Sequence, residues 1–146
     1  MEITTENAQE TNELGKRIAA DLVKNKSTNV ILLNGELGAG KTTFVQGFAK
    51  SLGINDRVTS PTFILLREHE VSTHGFHKLY HLDLYRLEGD LEKTANELGL
   101  KEIANDPSNI LLVEWADKLD KYFPKEAIEI NIRKASDSQR KFEIKK

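Results

Sequence analysis

Residues 35–43 read Gly-Glu-Leu-Gly-Ala-Gly-Lys-Thr-Thr, and no other stretch of the 146 residues constrains the fold as tightly. The pattern is G-x-x-x-x-G-K-T. The aliphatic run Val30-Ile31-Leu32-Leu33 precedes it, and a helix-compatible run from Thr42 to Leu52 follows. That strand–loop–helix order is the context a phosphate-binding loop requires. A triphosphate tail carries several negative charges. Successive backbone N–H groups, ending at a helix N-terminus, offer it donors and the positive end of the helix dipole. Side chains on the turn would block close approach. Gly35, Gly38 and Gly40 remove them, and Ala39 is nearly as small. Lys41 has the reach for the β and γ phosphates, the Thr42 hydroxyl for Mg²⁺, and Thr43 for the α phosphate. Glu36, an acid in an anion-binding loop, is expected to point outward.

Two further segments supply carboxylates. Asn109-Ile110-Leu111-Leu112-Val113-Glu114-Trp115 is an aliphatic run ending in an acid. This is the pattern of a buried central strand that delivers a carboxylate beside Mg²⁺. A buried carboxylate is costly without a cation or donors, which makes Glu114 a candidate metal ligand. Trp115 can shield the site, stack on a base or simply pack in the core. The second acid lies in His81-Leu82-Asp83-Leu84-Tyr85-Arg86, at the end of a predicted strand over 76–83. His81 and Asp83 share one strand face. Asp83 can orient or deprotonate an attacking water, or hold Mg²⁺ through water. His81 reads equally as a structural histidine, and Arg86 as a phosphate contact or a surface ion pair.

Between loop and acids lies Val58-Thr59-Ser60-Pro61-Thr62-Phe63, where Pro61 biases Ser60 towards extended backbone. Hydroxyls on a stiffened segment after the nucleotide helix suit a switch that senses the γ phosphate, with Thr62 foremost, although a polar turn before a strand has the same pattern. The remaining elements follow from periodicity. An amphipathic helix spans Asn7–Lys24, with Thr5 a candidate cap. Phe63–His69 and Phe76–Asp83 form an antiparallel hairpin, and helical pieces fill 89–105. The alternating Ala127–Arg133 and the terminal Arg140–Lys146 pair as edge strands protected by charge. Gly47 is awkward within the loop helix unless a neighbouring element comes close. The expected fold is α/β: one P-loop NTPase-like domain over residues 1–146, its mixed central sheet flanked by helices and interrupted by an antiparallel hairpin insertion.

Composition narrows the function. Lys plus Arg is 21 against 23 Asp plus Glu, a net charge of −2, which argues against gripping nucleic acid by a broad basic face. The chain has no cysteine, so disulfide and thiolate chemistry are excluded. No apolar run approaches the roughly 20 residues a membrane span needs, and the polar, acidic N-terminus is unlike a signal peptide. A cytoplasmic location is expected. Histidines 69, 74, 77 and 81 lack the spacing of a zinc site.

The segments G-E-L-G-A-G-K-T-T-F (35–44), S-P-T-F (60–63), H-L-D-L-Y-R (81–86) and V-E-W (113–115) together resemble the bacterial TsaE (YjeE) family of tRNA threonylcarbamoyladenosine biosynthesis proteins, over roughly Gln9 to Ile132. The resemblance implies a small ATPase serving a complex that places a threonylcarbamoyl group on the adenosine beside the anticodon. Such a subunit supports turnover of its TsaB-like and TsaD-like partners without performing the transfer. Carried onto this chain, it implies ATP and Mg²⁺ as ligands, with Gly38, Ala39, Gly40, Lys41, Thr42 and Thr43 around the phosphates. Thr42 and Glu114 attend the metal, Thr62 lies in the switch, Asp83 near the γ phosphate and Trp115 near the nucleotide. tRNA is met through the partners, in keeping with the near-neutral charge. The expected reaction is ATP hydrolysis, slow without partners, because Arg86 is the one arginine the sequence suggests near the loop. A small kinase would need an arginine-rich lid. A scaffold regulated by nucleotide binding alone is compatible with every residue named.

Overall fold

Aliphatic strands alternate their side chains between two faces, and here both faces are covered by helices. The computed structural model describes residues 1–36, 38–54, 66–73, 75–119 and 121–145. Among these, seven strands form one mixed sheet: β1 (Glu2–Thr5), β2 (Val30–Asn34), β3 (Leu66–Thr73), β4 (Phe76–Asp83), β5 (Asn109–Glu114), β6 (Ile128–Lys134) and β7 (Arg140–Lys145). Their order is β1-β7-β6-β2-β5-β4-β3. The centre is parallel: β2 pairs with β5 on one side and β6 on the other, and β5 pairs with β4. Antiparallel pairs close both ends, β3–β4 and β6–β7–β1. The fold is P-loop NTPase-like α/β, with the expected β3–β4 hairpin.

Four helices are described: α1 (Ala8–Asn25), α2 (Lys41–Ser51), α3 (Leu91–Glu97) and α4 (Leu100–Asn105). Helix α1 starts at Asn7, whose side chain accepts from the Glu10 N–H at 2.9 Å. Thr5 is therefore not the cap: it ends β1, and its hydroxyl lies buried 2.7 Å from that of Thr11. Helices α1 and α2 lie against one face of the sheet, where Leu14, Ile18, Phe44 and Phe48 meet Ile31, Leu112 and Ile130. Helices α3 and α4 cover the other, where Ala95 and Leu100 meet Val30, Leu111 and Val113. Removing a side chain such as Phe44 or Phe48 wholly from water contributes about 1.5–3 kcal/mol.

Helices α1 and α2 approach unusually closely, and glycine is the reason. A Cβ at Gly47 would stand 2.0 Å from the Asn12 carbonyl oxygen, and one at Gly15 2.2 Å from that of Phe44. Each glycine lets the other helix's backbone into its groove, at a helix-propensity cost of about 1 kcal/mol. The close neighbour that would account for Gly47 is α1.

The sheet edges differ from expectation. Strand β6 is interior, and β7 is covered by β1, which pairs Glu2 with Glu143 through Thr5 with Arg140. The edge is thus a short N-terminal strand whose four residues carry one aliphatic side chain, Ile3, too little for a periodicity signal. Strand β3 is described from Leu66, so Phe63 to Leu65 and the whole Ser60–Phe63 segment lie outside the described residues.

Candidate nucleotide site

The loop after β2 turns through positive φ at Gly38 (78°) and Gly40 (104°), conformations that non-glycine residues adopt only at a cost. Gly40 is the N-cap of α2, so the N–H groups of the first helical turn face the loop. Ala39 is buried, Gly38 and Thr42 are exposed, and Gly40 and Thr43 are half-buried. Glu36 is exposed, as its charge requires.

Lys41 opens α2 yet is only 6% exposed. Its ammonium donates to the carbonyl oxygens of Gly35 and, at 3.2 Å, Glu36. It also lies over the Trp115 ring, 4.3 Å from the centroid. Burial lowers its pKa from the usual lysine range, while Glu114, Asp83, Asp117 and Glu36 pull the other way. The two acids named from sequence therefore act on the same cation as the loop.

Strand register brings them there. Asp83 of β4 stands opposite Glu114 of β5. By the two-residue period Asp83 shares a face with Leu79 and His81, and Glu114 with Ile110 and Leu112. Leu79, Ile110 and Leu112 belong to the core beneath α1 and α2, so both acids lie on the side of the sheet that carries the loop helix. Asp83 is half-buried, and desolvation raises its pKa above the usual carboxylate value, reinforced by Glu114 and opposed by the Tyr85 N–H that it accepts at 2.9 Å. Glu114 is 1% exposed, and its Oε2 lies 2.5 Å from Nε2 of the equally buried His81. An ionised carboxylate accepts only, so with Glu114 ionised the donor in that bond is Nε2–H.

Trp115 follows with φ of 58°, a left-handed conformation rare for a bulky residue. Its backbone N–H donates to the Leu33 carbonyl at 2.9 Å, and its indole packs at a tilt of 36° against the Tyr85 ring with centroids 5.0 Å apart. Trp115 thus links the Lys41 ammonium to an exposed tyrosine of the H-L-D-L-Y-R segment.

Three side chains that sequence reading passed over hold this arrangement. Asn34, last in β2, donates to Asn131 Oδ1 of β6 at 3.0 Å and accepts from the Asp117 N–H at 3.0 Å, tying together the end of β2, the middle of β6 and the turn after Trp115. Lys118 donates to the carbonyls of Leu84 (3.1 Å), Tyr85 (2.7 Å) and Leu87 (3.2 Å), pinning the exit from β4. Arg140 of β7 donates to the carbonyls of Ser136, Asp137 and Gln139 and, at 3.3 Å, to that of Gly38 in the loop itself. Arg140 is therefore an arginine beside the loop that the sequence did not suggest, and Arg86 is exposed in the segment after β4. In the sequence Arg140 reads as the basic flank of a terminal strand, and nothing local marks its contact 102 residues away.

Lys41, Asp83, Glu114 and Trp115 converge, with residues 38–43 beside them; Thr62 lies outside the described residues. Among the described residues no group of three or more His, Cys, Asp and Glu could cage a metal. A hydroxyl at the helix start and one buried carboxylate are hard oxygen donors, too few for a protein-made cage but suited to Mg²⁺, which completes its shell with phosphate oxygens and water.

Comparisons with known proteins converge on one family. A family profile described as "Threonylcarbamoyl adenosine biosynthesis protein TsaE" matches residues 5–142. A tRNA threonylcarbamoyladenosine biosynthesis protein TsaE from Bacillus subtilis is 41% identical over 136 residues, 93% of this chain and 79% of that protein. One from Treponema pallidum is 33% identical over 144 residues, 99% of each. The crystal structure of Bacillus subtilis YdiB superposes with a TM-score of 0.67 at 32% identity, covering 97% of this chain and 82% of the other.

Proposed function

The chain belongs to the TsaE family of threonylcarbamoyl adenosine biosynthesis proteins, and from that premise we propose that it is a Mg²⁺-dependent ATP hydrolase supporting threonylcarbamoyl modification of tRNA. It acts as one P-loop ATPase domain in the cytoplasm, where its binding and hydrolysis of ATP set the turnover of TsaB-like and TsaD-like partner subunits. The observation that carries the reading is the meeting of Lys41 with Asp83 and Glu114 beside a glycine loop at a helix N-terminus.

On binding, Lys41 exchanges the carbonyls of Gly35 and Glu36 for phosphate oxygens. The N–H groups of residues 38–43 and the Lys41 ammonium stabilise charge on the transferring phosphoryl group. Asp83 orients the attacking water, and its raised pKa brings it nearer the range useful for taking a proton. Thr42 and Glu114 would hold Mg²⁺, which when bound neutralises charge on the β and γ phosphates. Trp115 shields the site. With a net charge of −2, the chain meets tRNA through its partners.

The test is phosphate release from ATP by the purified protein, alone and with the partner subunits, alongside tRNA modification. Slow release that accelerates with partners is expected, with Lys41→Ala losing nucleotide binding and Asp83→Ala keeping binding but losing hydrolysis. Equal rates with and without partners would refute the coupling. Full tRNA modification by Asp83→Ala without hydrolysis would leave a nucleotide-regulated scaffold, and phosphate transfer to a nucleoside or nucleotide would indicate a kinase.

A further inference from the structure

We propose that His81 is a positioning residue for the metal-side carboxylate: its Nε2–H fixes the orientation of Glu114, and so sets how strongly Mg²⁺ adds to nucleotide binding. The proposal rests on the assignment of Glu114 to Mg²⁺ above, and deepens it. His81 is wholly buried on β4, and its Nε2 lies 2.5 Å from Glu114 Oε2 on the neighbouring strand. His81 stands opposite Leu112, two residues inside the Asp83–Glu114 pair and diagonal to Glu114, on the face that carries α2.

The imidazole is an expensive choice for that place. Its Nδ1 is buried with no hydrogen-bond partner among the described residues, a penalty that leucine or phenylalanine would avoid. Its neighbours on that face are Leu79 and Asp83 on β4, Leu112 across on β5 and Arg67 across on β3. What the imidazole gains in return is one charge-assisted hydrogen bond to Glu114. Holding Glu114 Oε2 on a rigid imidazole within an interior strand restricts the torsions through which that carboxylate can turn. Groups that orient a metal-binding carboxylate typically change metal affinity about 10–100-fold when removed.

The test measures ADP affinity calorimetrically, with and without Mg²⁺, for wild type, His81→Leu and His81→Gln. Glutamine can present an N–H near the place of Nε2, whereas leucine only fills space. Wild type is expected to bind ADP more tightly with Mg²⁺. In His81→Leu, affinity without Mg²⁺ should be retained while the Mg²⁺ enhancement falls about tenfold, and His81→Gln should recover most of it. A full enhancement in His81→Leu, or an equal loss with and without Mg²⁺, would overturn the proposal, as would a folded His81→Gln that behaves like His81→Leu. An absence of Mg²⁺ enhancement in wild type would instead overturn the metal assignment beneath it. Should the variants not fold, ¹⁵N spectra of the wild-type imidazole decide. An Nε2–H tautomer whose signal moves when Mg²⁺ is added to the ADP-bound protein supports the role, and an Nδ1–H tautomer or an unmoved signal refutes it.

Discussion

Replacing Gly47 by alanine sets two rules against each other. In an unobstructed helix the change stabilises by about 1 kcal/mol. Here the added Cβ would stand 2.0 Å from the Asn12 carbonyl oxygen and 2.8 Å from its carbonyl carbon. Ordinary contact begins near 3.4 Å, so α1 and α2 must separate by about 1.4 Å along that line. The obstruction is backbone within a helix, not the end of a flexible side chain, and cannot be relieved by a rotamer change. Overpacking costs about 1–3 kcal/mol or more, and backbone against backbone puts this site at the upper end, so a net loss of about 2 kcal/mol is expected after the propensity gain of about 1 kcal/mol. For a chain of this length that lowers Tm by about 3–8 °C. Urea and thermal unfolding of Gly47→Ala would measure it, with exposed Lys50→Ala as a control expected within about 0.5 kcal/mol of wild type. Helix α2 also begins at Lys41, so its displacement should weaken ADP binding. An unchanged or raised Tm in Gly47→Ala would refute the close-approach reasoning, because propensity alone would then have decided the outcome.

Three other outcomes follow from the site. Arg140→Ala removes donors from Gly38 and the β6–β7 turn, and should cost about 1.5–3 kcal/mol on urea unfolding with weaker ADP binding; Arg140→Lys should recover only part, lacking the planar fork. Asp83→Asn should stabilise the protein at pH 7. The Asp83 pKa is raised by burial, so the folded state holds its proton more tightly than the unfolded chain, and stability falls as pH rises from the ordinary 3.8 through the folded value. The advantage of asparagine should therefore be complete above that window and shrink as pH drops through it; a Tm difference independent of pH would contradict this. Trp115 is the sole tryptophan, and its ring carries the Lys41 ammonium at 4.3 Å, so adding ATP should change its emission and Lys41→Met should remove the change.

The site was unevenly legible in the chain. Glycines at 38 and 40, a lysine at 41 and an aliphatic run ending in Glu114 are local patterns, and each has a local cause: a tight turn, a helix start, a buried strand. The strand ending at Asp83 and the placement of His81 and Asp83 on one face follow from a two-residue period. The Asn34 clamp, the Lys118 tether and the Arg140 brace left no such trace. Their partners lie 83 and 97 residues away for Asn34, about 30 for Lys118 and 102 for the loop contact of Arg140. Strand β1 escaped for a related reason, since a four-residue strand with one aliphatic side chain is held by its partner β7.

Taken alone, the sequence determined that residues 35–43 form a phosphate-type loop between strand and helix, that buried strands deliver acids near it, and that the chain is α/β. These are matters of short-range sterics and periodicity, which a few neighbouring residues settle. Only the tertiary structure decided the strand order, which sets Glu114 opposite Asp83, buries His81 against Glu114 and lays Lys41 over Trp115. Those contacts depend on which strands pair and how closely α1 and α2 approach, and such choices minimise the free energy of the whole chain, so no local window of residues contains them.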